Sequence, residues 1–255
     1  MVGAEDLAHA RDALLAAMAV LRRHARTDVP FELKAGDSPV TAADHEVDAL
    51  LRQMLPRGDE GWLSEETDDD AARLDCDRVW VVDPLDGTRS FIAGRPDYST
   101  SIALLQGGEP VLGAIGNPAT GVVVVGAVGL GVTSEGDPGL PWPAPRRGLR
   151  LLASRSEMRR GEWAPWSATC DLLPMGSVAY KLALVAAGHA DATWTLQPKH
   201  EWDVAAGAAL VRAAGGEVWL PRGGHLLWNR RRPRFLSFAA AAPGQRAVVE
   251  ALLRN

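Results

Sequence analysis

The sequence predicts an α/β protein whose N-terminal half is α+β. Two helical segments open the chain and four strand-like segments follow them, whereas helical and strand-like segments alternate in the C-terminal part. Such alternation is typical of layered α/β folds. The 255 residues are 47% hydrophobic and 23% charged, close to the averages for globular proteins. This composition excludes a disordered, collagen-like or coiled-coil chain.

The two N-terminal helices are predicted from apolar spacing and from a capping pattern. Leu7, Leu14 and Leu21 recur at helical spacing with arginines between them, which is typical of an amphipathic helix. Thr41 and Asp44 have the spacing of a capping box, with Asp in place of the usual Glu or Gln. An apolar helical pattern follows, so a second helix is expected to begin after Thr41.

Short apolar or β-branched runs between Gly, Pro and Asn residues predict the strands. The predicted strands are 79–82, 100–105, 111–115, 122–128, 149–153, a strand near Ala192, and 217–220. Two further helices are expected at 178–187 and 204–214. Glycine, proline and arginine dominate 129–148, so we predict a long loop there. A domain boundary in this loop would divide the chain into 1–138, an α+β metal-binding domain, and 139–255, an α/β domain.

Charge and cysteine content narrow the classes of function. The chain has 27 basic and 32 acidic residues, a net charge of −5, so no overall positive field favours nucleic acid. Cys76 and Cys170 form no disulfide framework or metal motif, which is typical of a reducing compartment. The N-terminus lacks the pattern of a signal peptide, and no apolar stretch is long enough for a membrane span. We therefore expect a cytoplasmic protein with neither nucleic acid nor membrane as partner.

Three acidic segments that are distant in sequence are candidates for a metal site. They are 64–66 (Ser-Glu-Glu), 83–88 (Asp-Pro-Leu-Asp-Gly-Thr) and 201–203 (Glu-Trp-Asp). Each alone could be an ordinary turn or a solvated loop. However, Asp83 follows a buried-type strand, and active sites of α/β sheets gather at strand ends. The turn at Pro84 can direct the carboxylates of Asp83 and Asp86 and the carbonyl of Leu85 at one point, where a hard cation such as Mg²⁺ would bind.

A phosphate site is predicted beside this metal site. Gly87 has no side chain to block an approaching anion. If the next helix begins here, the amides of Gly87 and Thr88 would donate hydrogen bonds to the anion.

In order and spacing, these motifs resemble the inositol monophosphatase family. Its members are Mg²⁺-dependent, lithium-sensitive phosphatases and include 3′(2′),5′-bisphosphate nucleotidases and some fructose-1,6-bisphosphatases. The resemblance covers nearly the whole chain and depends on the segments 37–44, 64–66, 80–88, 176–177, 187–191 and 202–207. It implies a layered α/β/α/β/α sandwich with the metals between the two halves.

The resemblance also implies roles for the acidic residues. Two or more Mg²⁺ ions would be held by Glu65, Asp83, the Leu85 carbonyl, Asp86 and Asp203. Thr88, together with Glu65, would orient and deprotonate the attacking water. Asp44 is expected either to support this site or simply to cap its helix, and both roles are compatible. Lys34 is a candidate for holding a loop that is linked to the metals.

For the substrate, the family implies contacts from Gly87, Thr88, Gly176, Ser177 and Lys181. The amides of the first two would bind the phosphate, and the other three would lie near the leaving group. Lys181 could attract the second phosphate of a bisphosphate, or it could be a solvated helix residue.

The substrate is predicted from one departure from the family pattern and from a resemblance to one branch. Inositol monophosphatases commonly have a glutamate seven residues before the last metal-binding aspartate, and Leu196 occupies that position here, which favours a leaving group with fewer hydroxyls. The segments 83–91 and 199–203 resemble the bacterial bisphosphate nucleotidase branch, so adenosine 3′,5′-bisphosphate is the expected substrate. Inositol 1-phosphate and fructose 1,6-bisphosphate are the alternatives. A different class of function is a partner protein in transcription, because one bacterial relative assists RNA polymerase. Family members are often homodimers, although no sequence stripe here identifies an interface.

Overall fold

A computed structural model describes residues 2–25, 29–34 and 39–254. The helices of these residues are α1 (Ala4–His24), α2 (Ala42–Met54), α3 (Thr88–Ile92), α4 (Arg155–Arg159), α5 (Val178–Ala186), α6 (Glu201–Ala213) and α7 (Arg246–Leu253). Short 3₁₀ helices span Ala71–Asp75 and Ala164–Trp166. None of the helices in the described ranges combines the length and the apolar character that a membrane crossing requires.

The strands form two main sheets. The first contains β3 (Gly61–Ser64), β4 (Arg78–Asp86), β5 (Ser99–Gln106), β6 (Glu109–Asn117), β7 (Val122–Ala127) and β8 (Gly131–Glu135), in that order. The second contains β9 (Arg150–Ser154), β10 (Asp171–Met175), β11 (Ala192–Thr195), β13 (Glu217–Trp219) and β15 (Phe238–Ala241), in the order β10-β9-β11-β15-β13. Two small sheets pair β1 (Phe31–Leu33) with β2 (Pro39–Thr41) and β12 (Lys199–His200) with β14 (Arg234–Phe235).

The directions of the strands show which strand ends of the first sheet lie at the same edge. β3 and β4 run parallel, so their carboxyl ends meet at the same edge, whereas the strands from β4 to β8 are antiparallel to their neighbours. In the second sheet, β9 is parallel to β10 and β11, and β15 is antiparallel to β11 and β13.

The sheets and helices form five layers. α1 and α2 cover one face of the first sheet, through a core that includes Leu14, Val47 and Trp80. α5 and α6 lie between the two sheets, and α7 packs on the outer side of the second sheet. The predicted α/β/α/β/α sandwich is confirmed.

Two glycines allow the central helices to pack closely. A Cβ atom on Gly113 of β6 would lie 2.3 Å from the backbone oxygen of Ala206 in α6, and one on Gly207 of α6 would lie 2.3 Å from the Cβ atom of Leu182 in α5. Only glycine permits these approaches. As a result, the N-terminus of α6 reaches the edge where β3 and β4 end.

The four predicted helices are present, and the capping box before α2 is confirmed by hydrogen bonds between Thr41 and Asp44. The prediction of a loop over all of 129–148 is wrong in its first part, where Gly131–Glu135 forms the edge strand β8. β8 shows no alternation of apolar and polar residues because it is mostly exposed. The boundary near residue 139 stays a prediction, and the core between the sheets draws residues from both sides of it.

Candidate active site

Glu65 and Asp83 are placed side by side by the parallel pairing of β3 and β4. Ser64 pairs with Val82, and the backbone N–H of Glu65 donates to the carbonyl of Val82 at 3.3 Å. Glu65 and Asp83, the residues after this pair, therefore lie at the same edge of the sheet. Asp203 reaches this edge from the first turn of α6, where its Oδ2 atom accepts a hydrogen bond from the His200 N–H at 2.8 Å.

These three carboxylates form a compact acidic cluster. Each of Glu65, Asp83 and Asp203 offers one oxygen atom, and the three oxygens lie within 4.8 Å of one another. Asp83 is buried, whereas the other two are partly accessible through a cavity of about 320 Å³. A set of clustered anionic oxygens is the donor chemistry that Mg²⁺ prefers.

The pKa values of Asp83 and Asp203 are raised by burial and by the neighbouring carboxylates, although Lys199 partly offsets the effect on Asp203. Burial and the neighbouring carboxylates raise the pKa of Asp83 well above its usual value, with Glu65 the largest of the charged contributors. Burial in the cleft, with repulsion from Asp86 and Glu65, raises the pKa of Asp203 to about 7. A bound cation would remove this penalty, so the cluster fits a metal site.

Asp86 lies on the wall of the same cavity and is held by α5. Its Oδ2 atom accepts hydrogen bonds from the Ser177 hydroxyl at 2.7 Å and from the Ala179 N–H at 2.6 Å. Both bonds go to one oxygen and fix the orientation of the other, Oδ1. The Ser177 hydroxyl also accepts from the Tyr180 N–H and lies 2.9 Å from the Ser99 hydroxyl, so its hydrogen bonds mainly position Asp86.

Thr88 connects the acidic edge to a buried carboxylate behind it. Its hydroxyl faces two acceptors, the Leu85 carbonyl at 3.0 Å and Asp44 Oδ1 at 3.3 Å. Asp44 also accepts from the Thr41 N–H and hydroxyl, at 2.8 and 2.6 Å. Burial raises the pKa of Asp44. The capping role of Asp44 and its contact with Thr88 therefore coexist.

Lys34 contacts the acidic cluster through its ammonium group. Its Nζ atom donates to Glu65 at 2.9 Å and to Glu66 at 2.8 Å. Burial alone would lower the pKa of Lys34, but the two glutamates outweigh that effect and raise it. The loop that contains Lys34 is thus tied to a candidate metal ligand.

Gly87, predicted at the phosphate, and Gly176, predicted near the leaving group, have structural reasons to be glycine. Gly87 has a φ of 95°, in the left-handed region, and α3 begins immediately after it. A Cβ atom on Gly176 would lie 2.4 Å from the Ser90 hydroxyl oxygen. Both residues line the cavity, as do Thr88 and Ser177.

The cavity wall also carries basic residues. Its basic wall residues are Arg89, Arg95, Arg155, Arg159, Lys181 and Lys199. Lys181 is only 3% exposed, so the alternative of a solvated helix residue is wrong. Burial and the nearby Lys199 lower the pKa of Lys181 to about 8.

The sequence analysis did not predict that the four arginines and Lys199 line this cavity. A usable signal was the rarity of lysine, since the chain has three lysines and 24 arginines. All three lysines lie at this site. Nothing comparable marks the arginines, which occur throughout the sequence.

The structure thus gathers the predicted site residues around one cavity. Asp191, part of one motif in the resemblance, lies elsewhere and accepts a hydrogen bond from the Arg150 N–H at 2.6 Å. Asp37, part of another, lies outside the described residues.

Comparison with known proteins decides the family. The sequence profile described as the inositol monophosphatase family matches residues 4–251. The chain belongs to this family. The 3′-phosphoadenosine 5′-phosphate phosphatase of Mycobacterium bovis is 34% identical over 214 residues, 77% of this chain and 76% of that protein. The inositol-1-monophosphatase of the same organism is 34% identical over 231 residues, 81% of this chain and 74% of that protein.

A solved structure of a family member agrees with this family assignment. CysQ from Bacteroides thetaiotaomicron superposes with a TM-score of 0.76 at 29% identity, covering 93% of this chain and 97% of that one. As a member of the inositol monophosphatase family, the protein is a phosphatase. The two phosphatases from M. bovis are equally similar in identity, so similarity alone leaves the substrate open.

Proposed function

We propose that the protein is a Mg²⁺-dependent phosphomonoesterase that removes the 3′-phosphate of adenosine 3′,5′-bisphosphate. The observation that carries the proposal is that one cavity is lined both by an acidic cluster and by basic side chains. A bisphosphate needs both, because one phosphate must meet a metal site and the other must meet protein cations.

The metal-holding residues are proposed to be Glu65, Asp83, Asp86 and Asp203, with the carbonyl of Leu85. The donor set consists of oxygen atoms only, and the raised pKa values of Asp83 and Asp203 indicate that burial and mutual repulsion outweigh the nearby cations. When bound, Mg²⁺ would supply a Lewis acid that activates water and neutralises charge on the leaving oxygen.

The protein residues are proposed to orient the attacking water and accept its proton. Glu65 and Thr88 would hold the water in line with the phosphorus–oxygen bond that breaks. The Thr88 hydroxyl would take one proton from the water and pass its own to Asp44 Oδ1, 3.3 Å away. Burial raises the pKa of Asp44 and makes this carboxylate a better proton acceptor. The leaving alkoxide would take its proton from solvent.

The phosphate that reacts would lie on the amides of Gly87 and Thr88, at the start of α3. Lys181 and Lys199 line the same cavity and would bind the second phosphate. Gly176 and Ser177 would border the leaving group. At pH values below about 8 the Lys181 ammonium is charged and stabilises an anion.

Position 196 supports a nucleotide over an inositol ester. Leu196 has no polar group for the hydroxyls of an inositol ring, although the basic side chains of the cavity would serve a phosphate of either substrate. Inositol 1-phosphate remains the alternative substrate, because a relative of that name is equally identical. A partner role in transcription and a homodimeric state stay predictions.

The test is a panel of phosphate-release assays. Adenosine 3′,5′-bisphosphate, inositol 1-phosphate and fructose 1,6-bisphosphate are each incubated with Mg²⁺, with EDTA, and with Mg²⁺ plus Li⁺. We expect the highest kcat/KM for the nucleotide, no release in EDTA, and inhibition by Li⁺. Higher kcat/KM for inositol 1-phosphate would overturn the substrate, and release from none of these esters would overturn the phosphomonoesterase.

A further inference from the structure

The loop 229–235 holds the first turn of α6, the turn that carries Asp203. The second half of this loop contains β14, which pairs with β12 immediately before the helix. The Glu201 N–H, at the first position of α6, donates to the Pro233 carbonyl at 2.9 Å. The position of Asp203, two residues further along the helix, therefore depends on how this loop is held.

The first half of the loop binds the Glu201 side chain. Glu201 is 0% exposed, so its carboxylate must find its hydrogen bonds within the protein. Its Oε2 atom accepts from the Asn229 N–H at 2.8 Å. Its Oε1 atom accepts from the N–H and the Nε atom of Arg230, both at 3.3 Å. Because a buried carboxylate that loses its donors is costly, these bonds fasten the start of α6 to residues 229 and 230.

Asn229 needs support from elsewhere to keep its N–H at Glu201. Of the described residues other than glycine, only Asn229 has a positive φ, 54°. Side chains disfavour this left-handed conformation, although asparagine tolerates it better than most. The Asn229 side chain makes two hydrogen bonds with Arg73. Its Oδ1 atom accepts from Arg73 Nη1 at 2.5 Å, and its Nδ2 atom donates to the Arg73 carbonyl at 3.1 Å.

Arg73 is a buried anchor for this contact. It is 2% exposed and belongs to the 3₁₀ helix Ala71–Asp75. Its Nε and Nη2 atoms donate to the two carboxylate oxygens of Asp69 at 2.6 and 2.9 Å, which fixes the plane of the guanidinium group. Its Nη2 atom also donates to the Arg230 carbonyl at 2.8 Å. Arg73 therefore holds both loop residues that bind Glu201.

The same arginine packs on the strand that leads to Glu65. A Cβ atom on Gly61, the first residue of β3, would lie 3.0 Å from the Cβ atom of Arg73. Glu65 follows the last residue of β3. Arg73 thus connects the strand that places Glu65 with the loop that places Asp203.

We propose that Arg73 and Asn229 are positioning residues of the metal site, and that they act through Glu201. They hold Asp203 at a distance from Glu65 at which one Mg²⁺ ion can contact both carboxylates. The inference rests on the proposed function for the identity of the metal ligands. Neither positioning residue is part of the wall of the catalytic cavity, so neither contacts the ion or the substrate directly.

The first test measures Mg²⁺ binding by calorimetry in the absence of substrate. Asn229→Gly deletes both hydrogen bonds to Arg73 and leaves the left-handed backbone conformation available. We expect the Kd for Mg²⁺ to rise about tenfold, the scale of a lost contact behind a metal ligand. An equal Kd in Asn229→Gly and wild type would overturn the proposal.

Arg73→Met removes the same contact from its other side, and Arg78→Met is the matched control. Arg78 also binds two carboxylates, those of Asp6 and Glu60, but at the start of β4, the end away from the acidic cluster. Both variants should be less stable than wild type, and only Arg73→Met should bind Mg²⁺ more weakly. Adding Asn229→Gly to Arg73→Met should weaken Mg²⁺ binding no further, because both substitutions act through one contact. Equal Kd values in the two arginine variants, or additive losses in the double variant, would count against the proposal.

The second test needs no metal and holds even if Arg73→Met does not fold. Deuterium exchange of the backbone amides of 199–204 is followed by mass spectrometry in EDTA. Asn229→Gly should speed this exchange at least about fivefold and leave exchange in α5 as in wild type, because the first turn of α6 opens locally. Arg78→Met should leave exchange of 199–204 unchanged. Exchange of 199–204 in Asn229→Gly at the wild-type rate would refute the positioning role.

These measurements separate the inference from the proposed function. Wild-type protein that binds no Mg²⁺, with faster exchange of 199–204 in Asn229→Gly, would overturn the proposed metal site and retain the role of Asn229 in holding α6. Mg²⁺-dependent phosphate release by wild type, with unchanged Mg²⁺ affinity and exchange in Asn229→Gly, would do the reverse.

Discussion

Replacement of Asp203 by Asn should stabilise the metal-free protein at neutral and alkaline pH. Asp203 lies within 4.8 Å of the oxygens of Glu65 and Asp83, with no cation among them. An asparagine has the same shape, and its amide oxygen can still accept the His200 N–H that caps α6. The substitution therefore removes a repulsive charge and keeps the cap.

The magnitude follows from the pKa of Asp203. The carboxyl titrates near 3.8 when the chain is unfolded and at about 7 when it is folded. Between these values the unfolded chain loses its proton and the folded chain keeps it, so the free energy of unfolding falls as the pH rises and stays low above 7. Three pKa units correspond to about 4 kcal/mol, a ceiling because Asp83 can retain a proton instead. The gain in Tm would be roughly 10 °C at most.

The assay is urea unfolding in EDTA, followed by tryptophan fluorescence at pH 4 and pH 8. Asp203→Asn should be the more stable protein at pH 8, and the two should differ little at pH 4. Asp191→Asn is the control: this carboxylate also accepts a backbone N–H, but it is paired with Arg146, so its loss should destabilise at pH 8. A metal-free Asp203→Asn that is less stable than wild type at pH 8 would refute the reasoning.

Four further outcomes are expected. Mg²⁺ should bind more tightly as the pH rises from 6 to 8, because the proton on Asp203 must leave when the ion binds. The affinity should rise by up to about tenfold per pH unit below pH 7, and calorimetry in two buffers counts the protons released. Asp83→Asn or Asp86→Asn should abolish phosphate release and leave the circular dichroism spectrum folded. Ser177→Ala should weaken Mg²⁺ binding about 10- to 100-fold, because Asp86 loses its 2.7 Å hydrogen bond. Lys181→Met should lower kcat/KM for a bisphosphate about 10- to 100-fold and for a monophosphate much less.

For each of these four predictions, a specific result would contradict it. Mg²⁺ affinity that is flat with pH would mean that no proton is displaced. Full activity in either aspartate variant would remove that residue from the metal site. Ser167→Ala, an exposed serine whose hydroxyl bonds only the Ala164 carbonyl in the described structure, is the control for Ser177→Ala, and equal Mg²⁺ affinity in both would contradict the positioning role. Equal losses on both ester types in Lys181→Met would reject its role at the second phosphate.

Some local features of the site were predictable because the chain itself fixes them. The capping box of Thr41 and Asp44 was readable from spacing alone. The edge strand β8 was missed because exposure on most of its residues removes the alternation that indicates a strand.

The predicted strand end at 82 and turn at Pro84 are wrong, because β4 continues to Asp86 with a register shift between Asp83 and Asp86. The change of direction comes at Gly87, whose φ of 95° suits a glycine.

Sequence alone identified the candidate residues, which are carboxylates in three remote segments, and the family to which the chain belongs. Only the tertiary structure decided how these groups meet. Parallel pairing of β3 and β4 sets Glu65 beside Asp83, and close packing at Gly113 brings α6 and Asp203 to the same edge. Whether Lys181 is solvated or buried also depends on contacts between distant segments. Such contacts leave no local pattern, because they arise from packing between layers.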